Sequence, residues 1–284
     1  MRTVYVNGNY VPEDEATVSI FDRGFLFGDA IYEVTSVLDG KLIDFPGHTA
    51  RLHRSLDALG MSFPMADEDL LAVHRELVSR NAVTEGLVYL QISRGAADRD
   101  FLFPAKDVPP TVVLFTQEKT LVENALAKRG QKVVTADDLR WRRCDIKTVQ
   151  LLWASLVKNE AKARGADDVW MVLDGLVTEG SSNNAYIVQG DGTIVTRNIS
   201  SDILAGITRT AVLKCAEELG VSVEERAFTV AEAQAAVEAF STSATGFVNP
   251  VIEIDGVAIG DGKPGPVAQR LREIYIETSR AAAI

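Results

Sequence analysis

Four stretches of the sequence group residue types able to do chemistry. Lys147 ends the run Arg140-Trp141-Arg142-Arg143-Cys144-Asp145-Ile146-Lys147 and leads into a helical pattern over 148–164. The positive end of a helix and neighbouring arginines both favour a neutral amine, the form that Schiff-base chemistry requires. A solvated surface lysine is the competing reading. The second stretch is Thr178-Glu179-Gly180-Ser181-Ser182-Asn183-Asn184, longer than a hairpin connection needs. Its small polar side chains are expected to line a polar pocket, with Glu179 facing a ring nitrogen; an Asx-type turn with an exposed glutamate is the alternative. Third, Ala205-Gly206-Ile207-Thr208-Arg209 puts glycine before a hydroxyl at a helix start, an arrangement suited to a phosphate or, more plainly, to an N-cap. Fourth, the hydroxyl-rich run Ser241-Thr242-Ser243-Ala244-Thr245-Gly246 could donate to the same anion, or be a plain loop.

Together these supply an amine, a carboxylate, an anion cradle and a hydroxyl cluster. That set matches pyridoxal phosphate, which needs a lysine for its aldehyde, an acid for its pyridinium and a cradle for its phosphate. Competing chemistries have little support. The formal net charge of −11 disfavours a nucleic-acid backbone as partner. No apolar run reaches the length of a membrane span or a signal-peptide core, and no nucleotide-binding glycine motif occurs. Cys144 and Cys215 show no metal-ligand spacing, and only His48 and His53 lie near each other, so no metal is expected; a reducing cytoplasm is the default compartment. With 46% hydrophobic and 24% charged residues the chain is of globular composition rather than disordered.

The elements that must position these residues are read from turns and periodicity. Asn7-Gly8, Asp39-Gly40 and Asp174-Gly175 each sit between apolar alternating runs and predict hairpins. Strands are expected at 31–38, 42–45, 87–92, 111–115, 132–135, 169–173, 176–178, 184–188 and 193–196, and helices at 46–59, 67–79, 148–164, 208–219 and 267–280. Residues 93–110 form a long loop, of a length that often carries function. Hairpins alternating with single helices argue for an α+β fold with largely antiparallel sheets, not a doubly wound one. Residues 117–131 are the natural linker segment, which predicts an N-terminal α/β domain over 1–117, a linker over 118–131 and a larger cofactor-binding domain over 132–284.

FDRGFLFGDAIYEV (21–34), HTARLHRSL (48–56), RGAADRDFLFP (94–104), RWRRCDIK (140–147), VTEGSSNNAYIV (177–188), AGITR (205–209) and FSTSATGFVNPV (240–251) occur in this order. Through them nearly the whole chain resembles the fold-type IV pyridoxal-phosphate aminotransferases, nearest to their D-amino acid branch. The resemblance implies a two-domain fold and a ping-pong transfer from an amino donor to a keto-acid acceptor. It implies that Lys147 bonds the cofactor's aldehyde and moves the substrate Cα proton, and that Glu179 pairs with the pyridine nitrogen. Arg51, Ile207, Thr208, Ser243 and Ala244 would hold the phosphate; where relatives often carry threonine, Ala244 offers only its backbone N–H. Tyr32 would stand near the substrate carboxylate. Arg99 would reach that carboxylate from the partner subunit's loop, which implies a homodimer with shared sites. Two residues after Arg99 the D-amino acid transaminase pattern has histidine, whereas this chain has Phe101, trading a hydrogen-bond donor for an apolar wall. Asp98 and Asp100 flank Arg99 and are expected to compete for its charge. The alternatives within the family are an (R)-selective amine transaminase, toward which Phe101 leans, a branched-chain amino acid transaminase, against which the Arg94-Gly95…Arg99 spacing speaks, and a 4-amino-4-deoxychorismate lyase. Outside enzymology, an inactive binding protein on the same fold is the alternative.

Overall fold

Asp39 and Gly40 adopt φ of 53° and 74°, and Asp174 and Gly175 adopt 51° and 79°. Both central residues of these turns are left-handed, the geometry that matches strand twist in a tight hairpin. The computed structural model describes residues 1–63 and 65–284. The chain divides into two units: Met1–Thr120 with Ile146–Gln150 and Ala282–Ile284, and Leu121–Asp145 with Leu151–Ala281.

The first unit contains β1 (Thr3–Val6), β2 (Asn9–Pro12), α1 (Arg23–Phe27), β3 (Ala30–Leu38), β4 (Lys41–Leu42), α2 (Phe45–Ala58), α3 (Asp67–Arg80), β5 (Glu85–Ser93) and β6 (Thr111–Glu118). Its described strands form a six-stranded sheet in the order β2-β1-β6-β5-β3-β4. Every pairing in it is antiparallel. The pleat sends alternate residues of β3 to opposite faces: Ile31, Glu33 and Thr35 are buried, while Tyr32 and Val34 are half-buried. Val34 stands opposite Tyr89 and Tyr89 opposite Phe115. The result is an aromatic row, with Tyr32 and Tyr89 stacked at 5.6 Å and Tyr89 and Phe115 at 4.8 Å between ring centroids. The strand expected over 42–45 ends at Leu42. Pro46 lies in the first turn of α2, where its missing N–H costs nothing, so the helix takes in Phe45.

The second unit contains α4 (Ala125–Arg129), β7 (Gln131–Asp137), α5 (Leu152–Ala163), β8 (Asp168–Leu173), β9 (Leu176–Gly180), β10 (Asn184–Val188), β11 (Ile194–Thr196), α6 (Ile207–Glu218), β12 (Val223–Glu225), α7 (Val230–Gln234), β13 (Glu238–Ser243), β14 (Phe247–Ile254), β15 (Val257–Ala258) and α8 (Pro266–Ala282). Its described strands form one nine-stranded sheet, order β12-β11-β10-β13-β14-β7-β8-β9 with β15 on β14. β7 and β8 are parallel and joined by α5; β11 and β12 are parallel and joined by α6. Such helical crossovers are what parallel neighbours require. The alternation of β7 and β8 feeds two cores. Val133 and Trp170 pack with Val177, Ile187 and Phe228. Val134, Val169 and Met171 pack with Ala154, Val157 and Ala161 of α5. Burying a side chain such as Val157 is worth about 1.5–3 kcal/mol, and spacing of three and four residues puts all three α5 residues on one stripe.

The mixed α+β architecture with mainly antiparallel pairing is as the sequence predicts. The segment 118–131 carries a short helix, and the stretch from residue 132 onward is interrupted where Ile146–Gln150 groups with the first unit. The helix expected from residue 148 starts at Leu152. Residues before it are committed elsewhere: Tyr32 N–H donates to the Lys147 carbonyl at 3.0 Å and Val149 N–H to the Ala30 carbonyl at 3.1 Å. Among the described residues no helix is long and apolar enough to cross a membrane.

Candidate active site

Lys147 sits on an extended segment clipped to the start of β3, with a bridge between Ile31 and Thr148 and with its N–H 3.4 Å from Ser55 Oγ on α2. Its side chain is half-buried. Nζ lies 4.1 Å from the centroid of the Tyr32 ring, an ammonium–aromatic contact. The structure brings Lys147 and Tyr32 together, but the surroundings that the sequence suggests for the amine differ. The helix start is five positions downstream at Leu152, and two of the three nearby arginines are neutralised, Arg140 by Asp138 and Glu179 and Arg143 by Asp145.

On the other face of β3, Arg51 is buried against Glu33. Nε donates to Oε1 at 2.8 Å and Nη2 to Oε2 at 2.7 Å, and His48 Nδ1 shares Oε2 at 2.7 Å. Burial works against the Glu33 charge, but Arg51 and His48 outweigh it and hold the carboxyl down at about 2. The sequence does not mark Glu33 or His48 as partners of Arg51. Their period-two and helical positions mark them only as inward-facing polar residues.

Arg99 and Phe101 lie on the long loop after β5. The Arg99 guanidinium is 5.3 Å from the Phe27 ring centroid and 5.5 Å from that of Phe101. Among the described residues no ion pair joins Arg99 to Asp98 or Asp100, so the expected competition is absent; Asp100 instead accepts the Leu102 N–H at 3.0 Å. Buried Arg23 anchors the loop, binding Asp29 at 2.8 Å and the carbonyls of Asp100 and Leu102 at 2.8 and 3.3 Å. Phe101 is 80% exposed, and Leu102 and Phe103 are similarly open.

In the second unit, Glu179 lies in β9 and is buried. Its Oε1 accepts from Arg140 Nη1 at 2.5 Å, and its Oε2 from Asn184 Nδ2 at 3.0 Å and the Leu204 N–H at 3.1 Å. Burial pushes the carboxyl up and Arg140 pulls it back, leaving it above the ordinary carboxylate range. The exposed-glutamate reading is excluded. The pocket-lining expectation holds for few of its neighbours: Ser181 Oγ and Asn183 Nδ2 turn to Asp168, at 2.6 and 2.8 Å, and Ser182 is exposed. Asn184, the last of these polar residues, ties the acid to the next stretch. It also donates to the Leu204 carbonyl at 2.9 Å, and its Oδ1 lies 2.2 Å from where a Cβ on Gly206 would stand.

Gly206 precedes α6 and gives it no side-chain cap, so Thr208 is not the N-cap. The N–H groups of the first turn, Ile207 and Thr208 among them, then point out of the helix start toward an external acceptor. β13 pairs with β10 in a register that sets Thr242 opposite Asn184. This carries Ser243 to the end of β13 and Ala244 into the turn that follows. Of the four hydroxyls in that run, Ser241 accepts from Trp170 Nε1 at 3.1 Å and Thr242 is bonded to Tyr186 at 2.9 Å. Ser243, Ala244 and Thr245 remain half-buried at the turn. A Cβ on Gly246 would stand 2.6 Å from Asn249 Nδ2 and 2.9 Å from Ser243 Oγ, so a larger residue there would push both side chains aside.

A buried acid with an acceptor position to spare, joined through Asn184 to an uncapped helix start and a glycine-containing turn, fits the ring nitrogen and phosphate of pyridoxal phosphate. The comparisons point to the same cofactor family. Residues 30–254 match the family model of amino-transferase class IV. The chain is 39% identical to a D-alanine aminotransferase of Staphylococcus aureus (strain MSSA476), over 98% of this chain and 99% of the relative. It is also 39% identical to a D-alanine aminotransferase of Bacillus licheniformis, over 95% and 94%. Among solved structures, a T.th. branched-chain amino acid aminotransferase with pyridoxamine 5'-phosphate superposes with a TM-score of 0.90 at 29% identity, covering 99% of this chain and 94% of that one.

Proposed function

The chain belongs to the class IV aminotransferases, and from that premise we propose that it moves the amino group of a D-amino acid onto a 2-keto acid, with pyridoxal phosphate as cofactor. The observation that carries the reading is Glu179, buried in β9, bonded on three sides and tied by Asn184 to the uncapped start of α6. When bound, the cofactor supplies an aldehyde that captures amines and a cationic ring that takes up the electron pair released at the substrate Cα.

The remaining work falls to this chain's own groups. Lys147 Nζ would hold the cofactor's aldehyde and, once displaced by the incoming amine, would take the proton from the substrate Cα and return it on the cofactor side. Glu179 keeps the pyridine nitrogen protonated. Arg51, the N–H groups of Ile207 and Thr208, and the turn at Ser243 and Ala244 hold the phosphate. Tyr32 faces the Lys147 amine and flanks the substrate.

Arg99 binds the substrate carboxylate of a neighbouring copy, so that two chains complete each other's sites. The exposed Phe101, Leu102 and Phe103, with Phe25 and Ile20, give that assembly an apolar surface to cover. Phe101 in place of a polar residue adds slower turnover of apolar (R)-amines.

A half-reaction panel tests the reading. D-alanine, D-glutamate, L-leucine and (R)-1-phenylethylamine are mixed separately with the loaded enzyme and the visible absorbance of the lysine-bound cofactor is followed. D-amino acids are expected to bleach it fastest; preference for L-leucine would overturn the stereochemistry. Borohydride reduction and peptide mapping should place the cofactor on Lys147, and sedimentation should show at least a dimer.

A further inference from the structure

Glu179 is one end of a row of buried charges. Arg140, whose Nη1 reaches Glu179 Oε1, is held from behind by Asp138: Nε to Oδ1 at 2.9 Å and Nη2 to Oδ2 at 2.7 Å. Asp138 is fixed in turn by Thr178 Oγ1 at 2.7 Å and by the Arg140 N–H at 3.2 Å. Arg140 Nη2 also meets the Asp202 carbonyl at 3.3 Å. The row is carboxylate, guanidinium, carboxylate, with a net charge of minus one. Cys144 beside it adds no charge, because burial pushes its thiol up to about 12.

The acceptor count on Glu179 is informative. A carboxylate offers about four acceptor positions. Oε2 uses two, on Asn184 and Leu204, and Oε1 uses one, on a single Arg140 nitrogen. One position on Oε1 stays open only while Asp138 keeps the rest of the Arg140 fork. A bare Arg140–Glu179 pair would instead close bidentately, the preferred geometry of that pair, and its neutral sum would be a poor acceptor.

We propose that Asp138 is a positioning residue for the reaction: by anchoring and neutralising Arg140 it keeps Glu179 basic and open on one side toward a protonated ring nitrogen. This rests on the reading of Glu179 as the partner of the cofactor's pyridine nitrogen. The electrostatics run the same way. After burial, Arg140 is the main influence on Glu179 and pulls it down, while Asp138 pushes it back up. Asp138 itself stays below the ordinary range, because Arg140 and Thr178 outweigh its burial.

The test uses the full chain loaded with pyridoxal phosphate carrying an isotope-labelled ring nitrogen, and a carbocyclic analogue in which that nitrogen is replaced by C–H. Wild type should show a protonated ring-nitrogen resonance and bind the cofactor more tightly than the analogue. Asp138→Asn should move the resonance toward unprotonated pyridine and cut the preference for cofactor over analogue roughly tenfold, one pK unit of Glu179 basicity. Asp138→Glu should restore both. A purely structural role would weaken both ligands alike and leave resonance and ratio unmoved, which overturns the proposal. Should Asp138→Asn not fold, Arg140→Gln serves: two carboxylates without their cation should raise the preference, and an unchanged ratio again overturns it. A wild-type chain that does not distinguish cofactor from analogue removes the Glu179 assignment itself.

Discussion

Glu33→Gln isolates the buried network behind Arg51. In the native chain Glu33 takes two Arg51 nitrogens and His48 while nearly excluded from water. Its carboxyl falls from 4.5 to about 2. A lowered folded value means that the stabilisation is present above pH 4.5 and lost as pH falls toward 2. At about 1.4 kcal/mol per unit this is on the order of 3 kcal/mol. Mutation gives a similar figure by a separate route, since removing one partner of a buried ion pair costs about 3–5 kcal/mol by leaving the other uncompensated. Glutamine can accept one bond from Arg51 but carries no charge. Urea unfolding of the cofactor-free chain at neutral pH should therefore show a loss of about 3–5 kcal/mol, and a pH series should show the native acid slope flattened in the variant. On the proposed phosphate role of Arg51, cofactor should then stabilise the variant more than the native chain, because the phosphate supplies the anion that Arg51 has lost. A loss below about 1 kcal/mol, or an unchanged acid slope, would refute the account of Arg51 as a cation held by Glu33.

His74 makes a second, separable contribution to acid lability. Burial lowers it from 6.5 to about 4, so the unfolded chain takes up a proton first and stability drains as pH falls through that window; His74→Leu should remove this component from a stability–pH curve. Gly206→Ala places a Cβ 2.2 Å from Asn184 Oδ1 and must displace the side chain that braces Glu179, so cofactor affinity measured by titration should fall roughly tenfold or more with little loss of stability. Phe101→His should lower KM for D-alanine by roughly tenfold, the worth of one charge-assisted hydrogen bond, without improving (R)-1-phenylethylamine. Arg99→Ala should damage the D-amino acid reaction far more than the amine reaction; equal losses would show that Arg99 does not hold the carboxylate.

Local chemistry made much of this protein legible in one dimension. Asp39-Gly40 and Asp174-Gly175 announce their turns because few other residue pairs accept two left-handed positions in succession. The stripe of α5 and the alternation of β3 follow from fixed periods of 3.6 and 2. Residue types alone narrowed the chemistry to an amine, an acid and an anion cradle. Partner choice was not legible. Arg140 reads as a basic neighbour of Lys147, yet Nη1 goes to Glu179, thirty-nine positions away, and Nε and Nη2 go to Asp138. Arg51 reads as a phosphate ligand, yet Glu33 claims two of its nitrogens. Any carboxylate can pair with any guanidinium, so sequence ranks none of the pairings; strand register and burial choose among them. The start of α5 was decided in the same way. Residues 148–151 carry a helical pattern, but Thr148 bridges Ile31, and the Lys147 carbonyl and Val149 N–H are paired with Tyr32 and Ala30, which holds this stretch extended along the edge of β3.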